Sequence, residues 1–346
     1  DTSHCLVGSE MCIRDRPRTP RGRSSRILPA ARLRTKCLPD LRGGIACDSG
    51  PEGPPLHRDF DDDLVDLALA DEWGCLFRAS ADGVGAHPTR PIVSTIEDWE
   101  RYVCEGMPAI EGATYAQAVR AAAVEHPDRY VVAQVWRTFF ERMFMLVGYE
   151  QLMVEIAAQG ELLRRMVRVL SAFTLRAIEL VAEAGADAVF LADDWGTQQR
   201  TMISPDAWAR HFRPAYAAMI DLAHGRGLDV WFHSCGNIAA LIPHWIDIGL
   251  DVISPLQAAA MDLPALAAAY RGQITFFGGI DVQHNLVHGT RASIREEVRA
   301  LFYMFHAHEG RYMASPCNTI MPETPVENVW TLFEAIREYG QYGGAT

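Results

Sequence analysis

His233 and Cys235 stand two residues apart in Trp231-Phe-His-Ser-Cys-Gly-Asn237, at the end of the apolar run Leu228-Asp-Val-Trp-Phe232. Side chains at i and i+2 of a strand leave the same face, so an imidazole and a thiolate would project together where the strand ends. Gly236 lets the backbone turn away directly afterwards. Two borderline-soft donors fixed on one rigid strand begin a zinc site, which still needs a third ligand from elsewhere. The candidate is Cys317, in Tyr312-Met-Ala-Ser-Pro-Cys-Asn318, another strand-like run that ends in a loop. His-x-Cys alone better describes a part-buried imidazole beside an inert cysteine. Only the third, distant cysteine brings zinc level with that reading.

These residues need elements to hold them, and from about residue 115 the chain supplies a regular alternation. Short apolar runs at 129–136, 188–192, 228–235, 251–255, 274–281 and 311–315 read as strands. Helical patterns at 148–158, 160–184, 204–226, 238–248, 263–270, 291–308 and 326–339 separate or follow them. Alternating strands and helices imply βαβ units and a parallel sheet. Six strands are countable, and residues 57–128 with the N-terminus could supply two more, closing a (β/α)8 barrel. A doubly wound open sheet is the competitor, but no Gly-x-Gly-x-x-Gly turn follows any strand. Arg137, Asp193, Asp194, His233, Cys235, Asp281 and Cys317 all fall at strand C-terminal ends, where a barrel keeps its active site. The expected fold is therefore a single TIM barrel over 57–340. At its N-terminal edge, Asp66–Cys75 reads as a short helix running into a turn, and 96–103 as a capped helix.

Composition narrows the chemistry. Residues 1–46 hold ten basic and four acidic residues, whereas the rest of the chain holds 22 basic and 40 acidic ones. An acidic body of that kind argues against nucleic acid and anionic membrane surfaces as partners, and no apolar run is long enough to span a bilayer. Eight cysteines without dense spacing suit a reducing cytoplasm better than a secreted disulfide framework. The one lysine is Lys36, so Schiff-base chemistry in the main body is excluded. Residues 1–46 are expected to be disordered or non-native, since Ser9-Glu-Met-Cys-Ile-Arg-Asp-Arg16 resembles a translated adapter sequence.

Residues from about 60 to 340 resemble the uroporphyrinogen decarboxylase superfamily, whose members are (β/α)8 barrels. The resemblance is carried by Asp71-Glu-Trp-Gly74, Asp193-Asp-Trp-Gly-Thr-Gln198 with Ile203-Ser-Pro205, and His233-Ser-Cys-Gly-Asn237. Gly278-Gly-Ile-Asp281 and Pro322-Glu-Thr-Pro-Val-Glu-Asn328 complete it. The decarboxylase branch carries an arginine-rich N-terminal motif that has no counterpart here. The other branch, cobalamin-dependent methyltransferases, carries His-x-Cys and a distant Cys as zinc ligands, and His233, Cys235 and Cys317 match that pattern.

The resemblance implies a cytoplasmic zinc methyltransferase that moves a methyl group between a corrinoid, carried by a partner protein or free, and a small thiol. Asp194 and Asp281 are the candidate catalytic carboxylates, with Arg137 and Gln198 as candidate substrate-binding residues. The alternatives are metal-free decarboxylation of a tetrapyrrole and non-catalytic binding of a corrinoid or tetrapyrrole.

Overall fold

The computed structural model describes residues 68–79, 86–110, 114–307, 311–317 and 320–340. Residues 1–46, read above as non-native, lie outside them, as does the start of the expected barrel domain at 57–67. Strands β1 (Ala68–Ala70), β2 (Leu76–Ala79) and β3 (Ala86–Pro88) form a small antiparallel sheet. This corrects the helix expected at Asp66–Cys75: the carboxylate of Asp71 accepts from the N–H groups of Trp73 and Cys75 at 3.1 and 2.8 Å, folding the segment into a tight turn between strands. Such side-chain-to-backbone bonds are how Asp competes with helix formation.

Helices α1 (Ile96–Glu105) and α2 (Thr114–Glu125) follow, and α1 opens on a capping box between Thr95 and Asp98. Then comes the repeating part: β4 (Val132–Val135); α3 (Phe140–Val147), α4 (Tyr149–Ala158) and α5 (Glu161–Glu183); β5 (Ala188–Ala192); α6 (Pro205–His211) and α7 (Arg213–Gly225). It continues with β6 (Asp229–His233), α8 (Ile242–Asp247), β7 (Val252–Leu256), α9 (Leu263–Tyr270), β8 (Thr275–Ile280), α10 (Asn285–His288), α11 (Arg291–Met304), β9 (Tyr312–Pro316) and α12 (Val326–Tyr339). The helix expected over 204–226 breaks at Phe212, where Pro214 in the first turn of α7 offers no N–H to continue the ladder.

β4 to β9 pair in sequence order, every pair parallel. Alternate residues divide the core in two. Val189, Leu191, Val230, Phe232 and Ile253 pack outward with the helices. Ala188, Trp231, Val252 and Met313, with Tyr130, Phe190 and Phe277, cluster separately on the other face. Helices on one face and strand side chains packed on themselves on the other describe a barrel wall and its filled bore. The fold is a (β/α)8 TIM barrel, and the described residues carry six of its strands. Residues 86–110 and 114–128 contribute no further parallel strand. Among the described residues no helix is long and apolar enough to cross a membrane.

Candidate metal centre

Strand parity delivers the site. Along β6, Asp229, Trp231 and His233 face the bore, and Cys235 continues that face past the strand end. Along β5 the same parity turns Asp193 outward and Asp194 toward the mouth. The Asp193 carboxylate is buried and accepts from the N–H groups of Phe139, Phe140 and Glu141 at 2.9, 2.7 and 2.8 Å. The Tyr216 hydroxyl donates to it at 2.8 Å. Asp193 thus fastens the start of α3 to β5. Burial still dominates its acidity, pushing the carboxyl up to about 6.

Asp194, His233 and Cys235 form a half-buried group whose ligand atoms all lie within 4.8 Å of one another. His233 Nε2 is 3.2 Å from Cys235 Sγ and 3.6 Å from Asp194 Oδ1. Tetrahedral zinc would separate a nitrogen and a sulfur ligand by roughly 3.6 Å, and a nitrogen and an oxygen ligand by about 3.4 Å. The three donors fit such an ion. The backbone N–H of Cys235 donates to Asp194 Oδ1 at 2.7 Å, tying the two loops together. Burial lowers the His233 pKa against the opposing pull of Asp194, which favours the neutral, ligating imidazole. The rings of Trp136 and Phe190, with centroids 5.1 and 6.0 Å away, hold the imidazole in place.

The turn after Cys235 admits no side chain. Gly236 has φ +81°, and a Cβ on it would lie 2.5 Å from the Gly196 carbonyl carbon and 2.6 Å from the Thr197 oxygen. The Asn237 N–H donates to that Thr197 oxygen at 2.7 Å. Gln257, just past β7, accepts from the Gly236 N–H at 2.8 Å. It donates to Gln198 Oε1 and Gln283 Oε1 at 3.2 and 2.9 Å. Gln257, which sequence reasoning did not single out, is therefore a brace for the metal loop. An isolated glutamine past a strand carries no signal of that role.

The other expected residues fall differently. Cys317 stays outside the group. It is buried, its Sγ donates to the Leu256 carbonyl at 2.7 Å, and burial pushes its thiol up to about 12. It lines a cavity of about 550 Å³ together with Gln257, Val282, Gln283, Met321 and Glu323. Gln198 donates to the Ala259 carbonyl at 2.8 Å, so both ends of its amide are engaged. Asp281 accepts from the N–H groups of Gln283 and His284 at 2.8 and 3.1 Å; its carboxylate is spent on the turn. Arg137 adopts φ +60° at the end of β4, with its guanidinium over the Phe77 ring and 4.0 Å from Glu141.

Glu141 is a second residue the sequence did not reveal. Burial, then Asp194 and Asp193, push its carboxyl up to about 8. It lies within Phe139–Met145, a cluster that reads in sequence only as core or rim. Its neighbour Arg142, fully buried, meets Asp71 Oδ2 at 2.7 Å and lies 4.4 Å from the Trp73 ring centre. The Asp71-Glu-Trp-Gly74 motif thereby anchors the small sheet to α3 and sets where Glu141 stands.

Residues 67–339 match the family described as Uroporphyrinogen decarboxylase (URO-D). No curated protein matches the chain. Among solved structures, a methyltransferase from Methanosarcina mazei is similar at TM-score 0.61 and 18% identity, over 78% of this chain and 77% of that one. A 3-keto-D-glucoside 4-epimerase from E. coli has TM-score 0.38 and 13% identity over 65% and 84% of the two chains. A 3-keto-L-gulonate-6-phosphate decarboxylase from Vibrio cholerae has TM-score 0.32 and 13% identity over 65% and 79%. The family match spans most of the chain and covers the strands, the metal-loop turn and the donors alike: the chain belongs to the uroporphyrinogen decarboxylase family.

Proposed function

We propose that this family member is a zinc-dependent methyltransferase that moves a methyl group between a corrinoid and a thiol. The observation carrying the reading is the convergence of Asp194, His233 and Cys235 on one point at the C-terminal end of the strands. A decarboxylase that works without a metal has no use for a thiolate and an imidazole so placed. The name of the Methanosarcina mazei neighbour points the same way. Zinc bound there would supply the Lewis acidity that deprotonates a substrate thiol and keeps its sulfur nucleophilic.

The chain's own part is to hold and orient. His233 presents a neutral Nε2, Cys235 a sulfur, and Asp194 an oxygen already tied to the Cys235 backbone. Cys317 is the further sulfur donor proposed from the sequence; to reach the group, its Sγ must leave the Leu256 carbonyl. Arg137 and Glu141 lie 4.0 Å apart beyond the end of β4, and we assign them to substrate orientation. In the transfer, the acceptor sulfur contributes the pair for the new S–C bond. The pair of the broken Co–C bond stays on the donor, and the thiol proton leaves to solvent.

The test uses methylcobalamin with a panel of small thiols, following the cobalt spectrum, on zinc-loaded and chelated protein. Uroporphyrinogen is assayed in parallel. Zinc-dependent demethylation of methylcobalamin is expected. Coproporphyrinogen formation by the chelated protein, with no demethylation by the zinc form, would overturn the proposal in favour of the decarboxylase.

A further inference from the structure

The hydrogen bonding between β5 and β6 continues past the strand ends, and there side chains stand in for backbone partners. A backbone rung joins the Asp193 N–H to the His233 carbonyl at 3.0 Å. Next, the Trp195 N–H donates to the Ser234 hydroxyl oxygen at 2.9 Å. The Cys235 N–H then donates to Asp194 Oδ1 at 2.7 Å. Backbone pairing resumes where the Asn237 N–H meets the Thr197 carbonyl at 2.7 Å. Of the two side chains in this series, Asp194 is one of the three metal donors and Ser234 is not.

Ser234 is fully buried, and its own N–H donates to the Ser254 carbonyl of β7 at 2.7 Å. The hydroxyl it offers to the β5 loop is therefore held from the strand side. Its partner Trp195 is also fully buried, with ring centroids 5.0 and 4.7 Å from those of Phe140 and Phe212. Asp194 thus sits between two fastened neighbours. Asp193 is fixed by the start of α3 and by Tyr216, and Trp195 by its packing and by Ser234. Removing the hydroxyl leaves a buried backbone N–H without a partner, a state that folded chains avoid by shifting the backbone. That shift falls on the segment carrying Asp194, while His233 and Cys235 stay with β6.

Resting on the zinc methyltransferase reading, we propose that Ser234 is a positioning residue of the metal centre. Through Trp195 its hydroxyl holds Asp194 where the carboxylate serves as the oxygen ligand, 3.6 Å from His233 Nε2.

The experiment is a double-mutant cycle on the full chain. Zinc affinity is measured by competition with a chromogenic chelator for the unaltered protein, Ser234→Ala, Asp194→Ala and the double variant, each checked by circular dichroism. Ser234→Ala is expected to weaken zinc binding by about 10–100-fold, the range for residues that orient metal ligands. In the double variant the loss should equal that of Asp194→Ala alone, because Ser234 acts through Asp194. With cobalt(II) in place of zinc, the visible bands should change in Ser234→Ala and should coincide in Asp194→Ala and the double variant. An unchanged zinc affinity in Ser234→Ala, or losses that multiply in the double variant, would overturn the proposal and leave the zinc methyltransferase reading intact. Loss of helical circular dichroism in Ser234→Ala would also overturn it, by marking a role in the whole fold. Failure of the unaltered chain to bind zinc or cobalt would remove that reading and this proposal with it.

Discussion

His233, Cys235 and Asp194 reach one another because two neighbouring parallel strands end at the same level, with Ala192 opposite His233 in the β5–β6 register. The donors are fixed by their surroundings as much as by their own backbone. Gln257 is the clearest case, since its amide spans the Gly236 N–H, Gln198 and Gln283. Removing a residue that orients metal ligands costs about 10–100-fold in metal affinity. Gln257→Ala should therefore weaken zinc binding by about that factor in competition with a chromogenic chelator, with unchanged circular dichroism. An unaltered zinc affinity would show that the turn holds without it.

Several roles were visible in the residues themselves. His-x-Cys at the end of an apolar run places two donors on one face whatever the rest of the chain does, and the structure puts them 3.2 Å apart. Asp194 was legible as a polar residue at a strand end, but not as a neighbour of His233, because that depends on which strands lie side by side. Asp281 and Gln198 look equally functional in sequence. Their hydrogen bonds go to a turn and to a loop carbonyl, and only three-dimensional contacts reveal such commitments.

At the scale of elements, β1–β3 and α3 are joined by a buried ion pair. Arg142 and Asp71 are 1% and 8% exposed, respectively. Removing one partner of a buried pair strands the other and costs about 3–5 kcal/mol, so Asp71→Ala should lower stability by that amount in denaturant titration. Removing the exposed Arg213–Asp247 pair should cost less than about 1 kcal/mol. Similar losses for the two would mean that the small sheet contributes little to the folded state.

Glu72, beside Asp71, has its carboxyl pushed by burial from 4.5 up to about 7. The folded chain binds this proton more tightly than the unfolded one. The resulting stability is complete below the unfolded value and is lost as pH rises through about 7. Asp193, pushed up from 3.8 to about 6, acts in the same direction. The metal-free protein should therefore lose stability between pH 5 and 8, and Glu72→Gln should flatten that decline. A variant with an unchanged pH profile would contradict the assignment. The element boundaries follow the same physics. The strands from β4 onward, and the helices other than α3 and α10, were legible from apolar period, whereas the Asp71 turn and the break at Phe212 depended on single side chains overriding that period.

At the scale of the molecule, the barrel supplies a rigid rim, and the metal loop is pressed so tightly against the β5 loop that Gly236 tolerates no Cβ. The bore and helical layer are buried independently of the mouth, so the barrel is expected to fold with or without an ion there. This contrasts with small domains that fold only around their metal. Chelation should leave the thermal unfolding transition within a few degrees of its starting value while removing methyl transfer.

The most direct measurement is zinc content by elemental analysis of freshly purified protein, alongside Cys235→Ala and His233→Ala purified in the same way. About one zinc per chain is expected in the unaltered protein, falling to background in both variants while each keeps its helical circular dichroism. One zinc per chain retained in Cys235→Ala, or no zinc in the unaltered protein after reconstitution, would contradict a metal centre at the ends of β5 and β6.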